Sequence, residues 1–246
     1  MRVVDGKGGL LVAVRRLSQW PARGSGCHSS HAEVVTGSTA WLGRGLACVC
    51  AQRRENDGRL LLNLSPSQEA LWALWYYAYP GVELHGLISN QWKEMGWQGK
   101  DPSTDFRWCG FISLENLLFF AKNYPKSFHA LLQKQEGVRA MWEYPFSVAG
   151  VNITFMLIQM FDLQAGRPRS MVGAIFLKLL LENERAFDML YCITFKMMDQ
   201  QWLAMHASYM DFNLVMKSTR RQLERELLLE DTQRIEDMPS YRLLKR

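Results

Sequence analysis

The sequence predicts an all-α fold, a single globular multi-helix domain preceded by a disordered or weakly ordered basic N-terminal arm. Three observations carry this reading. Apolar residues recur three or four apart in successive blocks from Leu71 to Leu228, the spacing of one helix face. No stretch of useful length alternates apolar and polar residues as a half-buried strand would. Pro, Gly and Ser punctuate the blocks where helices would begin and end.

The first 64 residues stand apart. Gly24-Ser25-Gly26, Gly37-Ser38 and Gly43-Arg44-Gly45 punctuate them, with short structured pieces conceivable only near Val34 to Cys50. From Ser65 the pattern changes, and residues 65–230 read as the domain, with 231–246 as a C-terminal tail. Ser65-Pro66-Ser67-Gln68 has an N-cap, a Pro at the first helical position and a Gln three residues after the cap. Leu71, Leu74, Trp75 and Ala78 then share a face, and Pro80-Gly81 stops the run. A second helix is expected with Leu84, Leu87, Ile88 and Trp92 inward and Gly96 at its end. Ser113 is placed to cap a third helix through Leu114, Leu117, Leu118 and Ala121, ending before Pro125. Pro125 opens a fourth through Phe128, Leu131 and Leu132.

Pro145 to Leu163 is apolar nearly all round, which implies a central helix. Gly166-Arg167-Pro168-Arg169 reads as a turn. Met171 to Leu181, about Glu184 to Met198, and Trp202 to Met216 continue the helical spacing. Leu223, Leu227 and Leu228 ride on a charged last helix before Pro239, with Glu226 and Glu230 expected to pair with nearby Arg. The methionines 197, 198, 205, 210 and 216 read as adaptable core filler. His85 and His206 read as helix-face or capping residues.

Charge is unevenly placed. Residues 1–64 hold nine Lys/Arg against four Asp/Glu, and the remainder holds twenty of each, so the whole net charge of +5 sits in the arm. A neutral domain argues against nucleic acid as a partner, which wants a basic face on the folded part. No apolar run reaches the ~18 residues of a membrane span. Five cysteines with no secretory signal before them fit a reducing compartment, so a cytoplasmic location is expected, possible contact with endomembranes being peripheral and through the basic arm. An organelle transit peptide is the minor reading of that arm. Cys27, His31, Cys48 and Cys50 could be gathered into a zinc site only with a one-residue Cys48–Cys50 spacing, short of the usual two to four, and no metal is expected. Acylation of Cys48 and Cys50 beside Arg53-Arg54 is a second minor reading. There is no phosphate loop of Gly-x-x-x-x-Gly-Lys-Ser/Thr type, no Gly-x-Ser-x-Gly elbow and no His-Glu-x-x-His.

One stretch is unlike the rest. Trp92 to Gly110 holds three glycines, a proline and three tryptophans, with Asp105 and Arg107 two apart. Trp is usually at least partly buried, whereas Gly and Pro are turn residues. The mixture describes an ordered loop pinned by aromatic anchors that presents polar groups outward. Arg107 carries the chemistry: a guanidinium stays charged and offers a rigid fork of donors that matches phosphate oxygens. Asp105 either orients it for a partner or pairs with it inside the domain.

The same stretch resembles the signature of the ELMO (engulfment and cell motility) domain, Trp-Lys-x-x-Gly-aromatic-Gln-Gly-x-x-Pro-x-x-Asp-Phe-Arg-Gly-x-Gly. Trp92, Lys93, Gly96, Trp97, Gln98, Gly99, Pro102, Asp105, Phe106, Arg107 and Gly110 fit it in order and spacing. Ser113 to Leu117, Phe119-Phe120, Val151 to Thr154 and Tyr209 to Phe212 also look like the family, and the match runs over about residues 69–230. The chain looks like the small, plant-type members. That resemblance implies a GTPase-activating protein for Arf-type small GTPases, with Arg107 as the catalytic arginine finger. The other ten motif residues would support the loop or bind the partner. It implies no cofactor of its own, GTP and Mg²⁺ belonging to the partner. The alternative that it implies is a non-catalytic adaptor in a Rac-type GTPase, DOCK-type exchange-factor or cytoskeletal pathway. Trp108 stands where the family pattern has Gly, with Cys109 beside it. If that Gly serves a positive φ, Trp costs about 1–2 kcal/mol of backbone strain. A shorter approach to the first helix than its relatives have would leave apolar surface on the Leu71 to Tyr77 segment.

Overall fold

In the computed structural model the described residues are 66–106, 110–139, 141, 143–164 and 168–245, and among them there are helices and no strand. The first helix, α1 (Pro66–Ala78), buries Leu71, Leu74, Trp75 and Ala78 as the spacing predicts. Its other face carries Trp72 and Tyr76, 38% and 70% exposed. The cap expected at Ser65 lies outside the described residues, as do the arm's glycine turns and its Cys/His cluster.

The second helix expected over Leu84 to Gly96 does not form. Residues 82–89 are irregular, and only a 3-10 turn, Asn90–Lys93, follows. Side chains take the hydrogen bonds that a helix ladder would have used. Trp75 Nε1 donates to the Val82 carbonyl at 2.9 Å, Gln91 Nε2 to the Glu83 carbonyl at 2.9 Å, and the His85 N–H to Gln91 Oε1 at 2.8 Å. With its backbone satisfied this way the segment has no need of helical bonds. Leu84 and Trp92 are still buried, but Ile88 is 72% exposed.

A short helix, α2 (Ser103–Phe106), precedes α3 (Ile112–Asn123). Ser113 does not cap α3. It sits one residue inside the helix, fully buried with its hydroxyl unpartnered, and the N-cap is Phe111. Helix α4 (Pro125–Leu132) opens on its Pro as expected and buries Phe128 and Leu131. Helix α5 (Phe146–Met160) buries twelve of its 15 residues.

After α6 (Met171–Glu182), capped by the Ser170 hydroxyl, comes α7 (Ala186–Ala204). Every residue of α7 from Ala186 to Asp199 is buried, although Asp188, Thr194, Lys196 and Asp199 are among them. Helix α8 (Phe212–Leu227) packs on α7. The break between α7 and α8 lies further on than the spacing suggested: α7 runs through Trp202, and His206, at φ 47°, ends it as a left-handed cap residue. The Ser208 N–H and hydroxyl both bond to Asp211 Oδ2, at 2.9 and 2.8 Å, which restarts the helix. Those bonds hold the Asp211 carboxyl below its ordinary pKa. Of the five methionines only Met197 and Met198 are core; Met205 and Met210 are exposed.

Two layers result. Helix α3 packs on α1, α4, α5 and α7, while α7 also carries α6, α8 and the C-terminal segment. Residues Ile235–Asp237 and Pro239–Leu244 form 3-10 turns that bury Ile235, Met238, Leu243 and Leu244. Burying an aliphatic side chain of this size is worth roughly 1.5–3 kcal/mol. Glu226 is not paired with Arg among the described residues. It is buried and accepts from the Ser240 N–H and hydroxyl, at 2.9 and 2.7 Å, and from Gln222 at 3.0 Å. No described helix is long and apolar enough to cross a membrane.

Candidate functional site

The tryptophan- and glycine-rich loop is built around Trp92. Its ring is fully buried, edge-on to Trp75 at 5.3 Å between centroids, and its indole donates to the Leu87 carbonyl at 3.1 Å. The loop turns beneath it: the Met95 and Trp97 N–H groups both reach the Trp92 carbonyl, and the Gly96 N–H reaches Lys93. Trp97 and Pro102 are buried alongside. The first half of the loop is closed by the Ser89 N–H donating to the Lys100 carbonyl at 2.9 Å. Beside it, burial pushes the Tyr79 phenol up to about 12, with the Glu94 carboxylate adding to the shift.

Gly96 is where the loop meets the core. Its φ is 86°, and a Cβ there would lie 2.4 Å from the Phe146 nitrogen and 2.9 Å from the Pro145 carbonyl carbon. That closeness lets the loop cap α5. The Ser147 N–H and hydroxyl donate to the Met95 carbonyl at 3.1 and 3.0 Å, and the Val148 N–H to the Gly96 carbonyl at 3.4 Å. A helix leaves its first N–H groups without internal partners, and Pro145 at the cap has no side-chain acceptor to offer. The loop carbonyls supply what the local sequence lacks.

Asp105 closes the second half. Its Oδ2 accepts the Gln98 N–H at 2.8 Å, so Gln98 and Asp105 meet across the turn. Asp101 begins α2 through its own carboxylate and carbonyl, which accept from the Ser103 N–H and the Thr104 hydroxyl at 2.9 and 2.8 Å. Lys93, Gln98 and Lys100 are exposed on the result. Gly110, at φ 78°, starts the chain into α3, with nothing within 4 Å of where a Cβ would be. The structure therefore brings together Trp92, Lys93, Gly96, Trp97, Gln98, Gly99, Pro102 and Asp105. Arg107, Trp108 and Cys109, and the side chain of Phe106, lie outside the described residues.

Sequence reasoning missed a second polar cluster, built from Lys134, Arg139, Tyr144 and Asp199. Arg139 grips Asp199 through both terminal nitrogens, at 2.9 and 2.8 Å. Tyr144 donates to the same carboxylate at 2.6 Å, and Lys134 Nζ lies 3.1 Å from the Tyr144 ring centroid. Burial lowers Lys134 to about 7 against the opposing charge of Asp199. It also raises the Tyr144 phenol well above its usual value, with Asp199 adding to the shift. Burial works to lower Arg139, but the hydrogen bonds and charge of Asp199, with Tyr144 and Glu143, together raise it. No local spacing joins residues 134, 139 and 144 to residue 199; a buried Asp and Lys within an apolar helix were the available signal. No group of three or more His, Cys, Asp or Glu able to hold a metal occurs among the described residues.

The profile of the ELMO/CED-12 family matches residues 55–216. The chain is 35% identical over 169 residues to ELMO domain-containing protein A of Dictyostelium discoideum, covering 61% of this chain and 17% of that protein. It is 32% identical over 155 residues to mouse ELMO domain-containing protein 2, covering 60% and 48%. It is 26% identical over 148 residues to human engulfment and cell motility protein 3, covering 59% and 20%. The chain thus spans less than half the length of each of these relatives.

Proposed function

Because this chain belongs to the ELMO/CED-12 family, we propose that it is a GTPase-activating protein for Arf-type small GTPases, with Arg107 as its arginine finger. The observation that supports the reading is the construction of the motif loop. Carbonyls of Met95 and Gly96 bind it to α5, Asp105 closes it on Gln98, and Lys93, Gln98 and Lys100 remain exposed. A loop fixed this firmly is a suitable support for one cation that must enter another protein's nucleotide site.

In that reaction the partner holds GTP and Mg²⁺. The guanidinium would meet the charge that develops on the transferred γ-phosphoryl oxygens, an effect of about 10³–10⁵ in rate for arginine fingers. The chain would need no cofactor. Action on a membrane-bound GTPase would place it in the cytoplasm at an endomembrane surface, with the basic arm, residues 1–64, touching anionic lipid.

The test is single-turnover GTP hydrolysis by Arf-type GTPases with the intact chain. Arg107→Ala should lower the stimulated rate by at least a hundredfold, with little recovery in Arg107→Lys, which lacks the fork. Unchanged hydrolysis in Arg107→Ala would refute the finger. Trp108→Gly should raise activity if the indole hinders docking.

The likeness to engulfment and cell motility protein 3 favours a second reading, a non-catalytic adaptor for a Rac-type GTPase or a DOCK-type exchange factor. Binding of such a partner that survives Arg107→Ala, with no stimulated hydrolysis by the parent chain, would select it.

A further inference from the structure

Helix α8 carries a charged outer face that the motif loop does not use. Its sequence suggests arginines paired with Glu226 and Glu230. Glu226 turns inward to Ser240 instead, and Glu230 lies beyond the helix's last residue, Leu227. The cations are left outward. Lys217, Arg221 and Arg225 are exposed, and none of them forms an ion pair with a described residue. Like charges four apart, as in Lys217 with Arg221 and Arg221 with Arg225, oppose helix formation, so the fold draws no stability from this arrangement.

The three cations share one stripe with two leucines. Leu214 is 56% exposed, and Leu228, the helical C-cap residue, is 43% exposed. At 3.6 residues per turn, positions 214, 217, 221, 225 and 228 fall within about 80° of arc and about 21 Å of length. The helix's exposed acid, Glu224, lies on the flank four residues after Arg220, where the two charges offset one another. The stripe itself holds three cations and no acid, with a leucine at each end.

Charge and shape select the occupant. The arm, residues 1–64, is itself strongly basic and would be repelled, and a second copy meeting the stripe with its own would set arginine against arginine. An exposed stripe along a helix is convex, whereas peptides are taken up in grooves or along sheet edges. Leucines at both ends have no role against the phosphates of a nucleic acid. An anionic bilayer uses both kinds of side chain: its surface charge attracts the cations, and the leucines reach the boundary between headgroups and acyl chains.

We propose that α8 lies along an anionic lipid surface, with Lys217, Arg221 and Arg225 at the headgroups and Leu214 and Leu228 dipping below them. This contact belongs to the folded domain and is separate from any made by the arm. It needs neither Arg107 nor the motif loop, so it does not depend on the GTPase reading.

The test is flotation of the intact chain with phosphatidylcholine vesicles that carry phosphatidylserine at about one lipid in three, in about 0.1 M salt. A basic residue at such a surface contributes about fivefold to binding, so Lys217→Gln, Arg221→Gln and Arg225→Gln combined should weaken it about a hundredfold. Every variant keeps the arm, so the arm's share cancels. Leu214→Ala combined with Leu228→Ala should weaken binding about tenfold at unchanged charge. All five positions are exposed, so the substitutions leave the core untouched. Binding that the triple Gln variant retains in full would assign the lipid contact to the arm and overturn the proposal. So would a parent chain that does not bind the charged vesicles. If soluble poly-L-glutamate binds the parent more tightly than those vesicles do, and the leucine substitutions weaken neither, the occupant is an acidic polypeptide and the lipid assignment is wrong.

Discussion

Three glycines of one motif should respond to alanine in three different ways. At Gly99 no left-handed φ is required, and a Cβ would have only the Asp101 nitrogen near it, at 3.9 Å. Gly99→Ala should change stability by less than about 0.5 kcal/mol. At Gly110 the space is open but φ is 78°, so alanine should cost about 1–2 kcal/mol of backbone strain and nothing more. At Gly96 the same strain applies at φ 86°, and the Cβ falls 2.4 Å from a backbone nitrogen that cannot move aside without moving α5. Relief requires the loop to lift off the helix. That lengthens the bonds from Ser147 N–H, Ser147 hydroxyl and Val148 N–H to the loop carbonyls. Each is worth about 0.5–1.5 kcal/mol net, so Gly96→Ala should cost about 3–5 kcal/mol in all. Urea denaturation followed by circular dichroism would rank the three variants. Amide exchange at Ser147 and Val148 should rise furthest in Gly96→Ala. Equal losses at Gly96 and Gly110 would show that backbone conformation alone matters, and that the capping contact contributes nothing.

Other outcomes follow from the same contacts. Asp105→Ala removes the acceptor of the Gln98 N–H and should speed exchange of that amide about tenfold, read by hydrogen exchange, while global stability changes little. Lys134 has a folded pKa of about 7, below its unfolded value near 10.4, so the unfolded chain holds the extra proton between those values. Stability should therefore rise with pH from about 7 to about 10. Lys134→Met should be stabilising relative to the parent by on the order of a few kcal/mol at pH 6, and the difference should vanish by about pH 10.5 in melts at matched pH. A difference independent of pH would remove the buried-amine argument. Glu226→Ala should release the segment beyond α8, seen as trypsin cleavage after Arg234 and Arg242 at least tenfold faster than in the parent, since three hydrogen bonds to Glu226 are lost.

Helical spacing was sufficient to read α1, α3, α4, α5 and α6, because their apolar faces and Pro or Gly boundaries are local properties. It failed between Leu84 and Trp92. There the deciding contacts are indole and amide side chains reaching back to carbonyls, and an apolar count does not see hydrogen bonds. It also misjudged Ser113 and Glu226: both residue types usually face water at helix ends and surfaces, and both are buried here. In the motif, the anchoring tryptophan at 92 and the positive φ at Gly96 and Gly110 could be anticipated from residue type. The role of Asp105 toward Gln98 could not, because it depends on a turn seven residues long. Asn116 and Thr154 were noted only as family-like; they bond at 2.8 Å and join α3 to α5 through the core.

The missing side-chain cap of α5 has a consequence for how a partner meets this protein. Met95 and Gly96 complete the end of a helix that lies almost wholly inside the core. The loop up to that point cannot fray without exposing α5, so its exchange with solvent should follow global unfolding and not local opening. Its conformational entropy is lost when the chain folds, before any encounter. A partner docking against it would then face little further ordering cost from this segment, and recognition would behave more like rigid contact than like folding on binding.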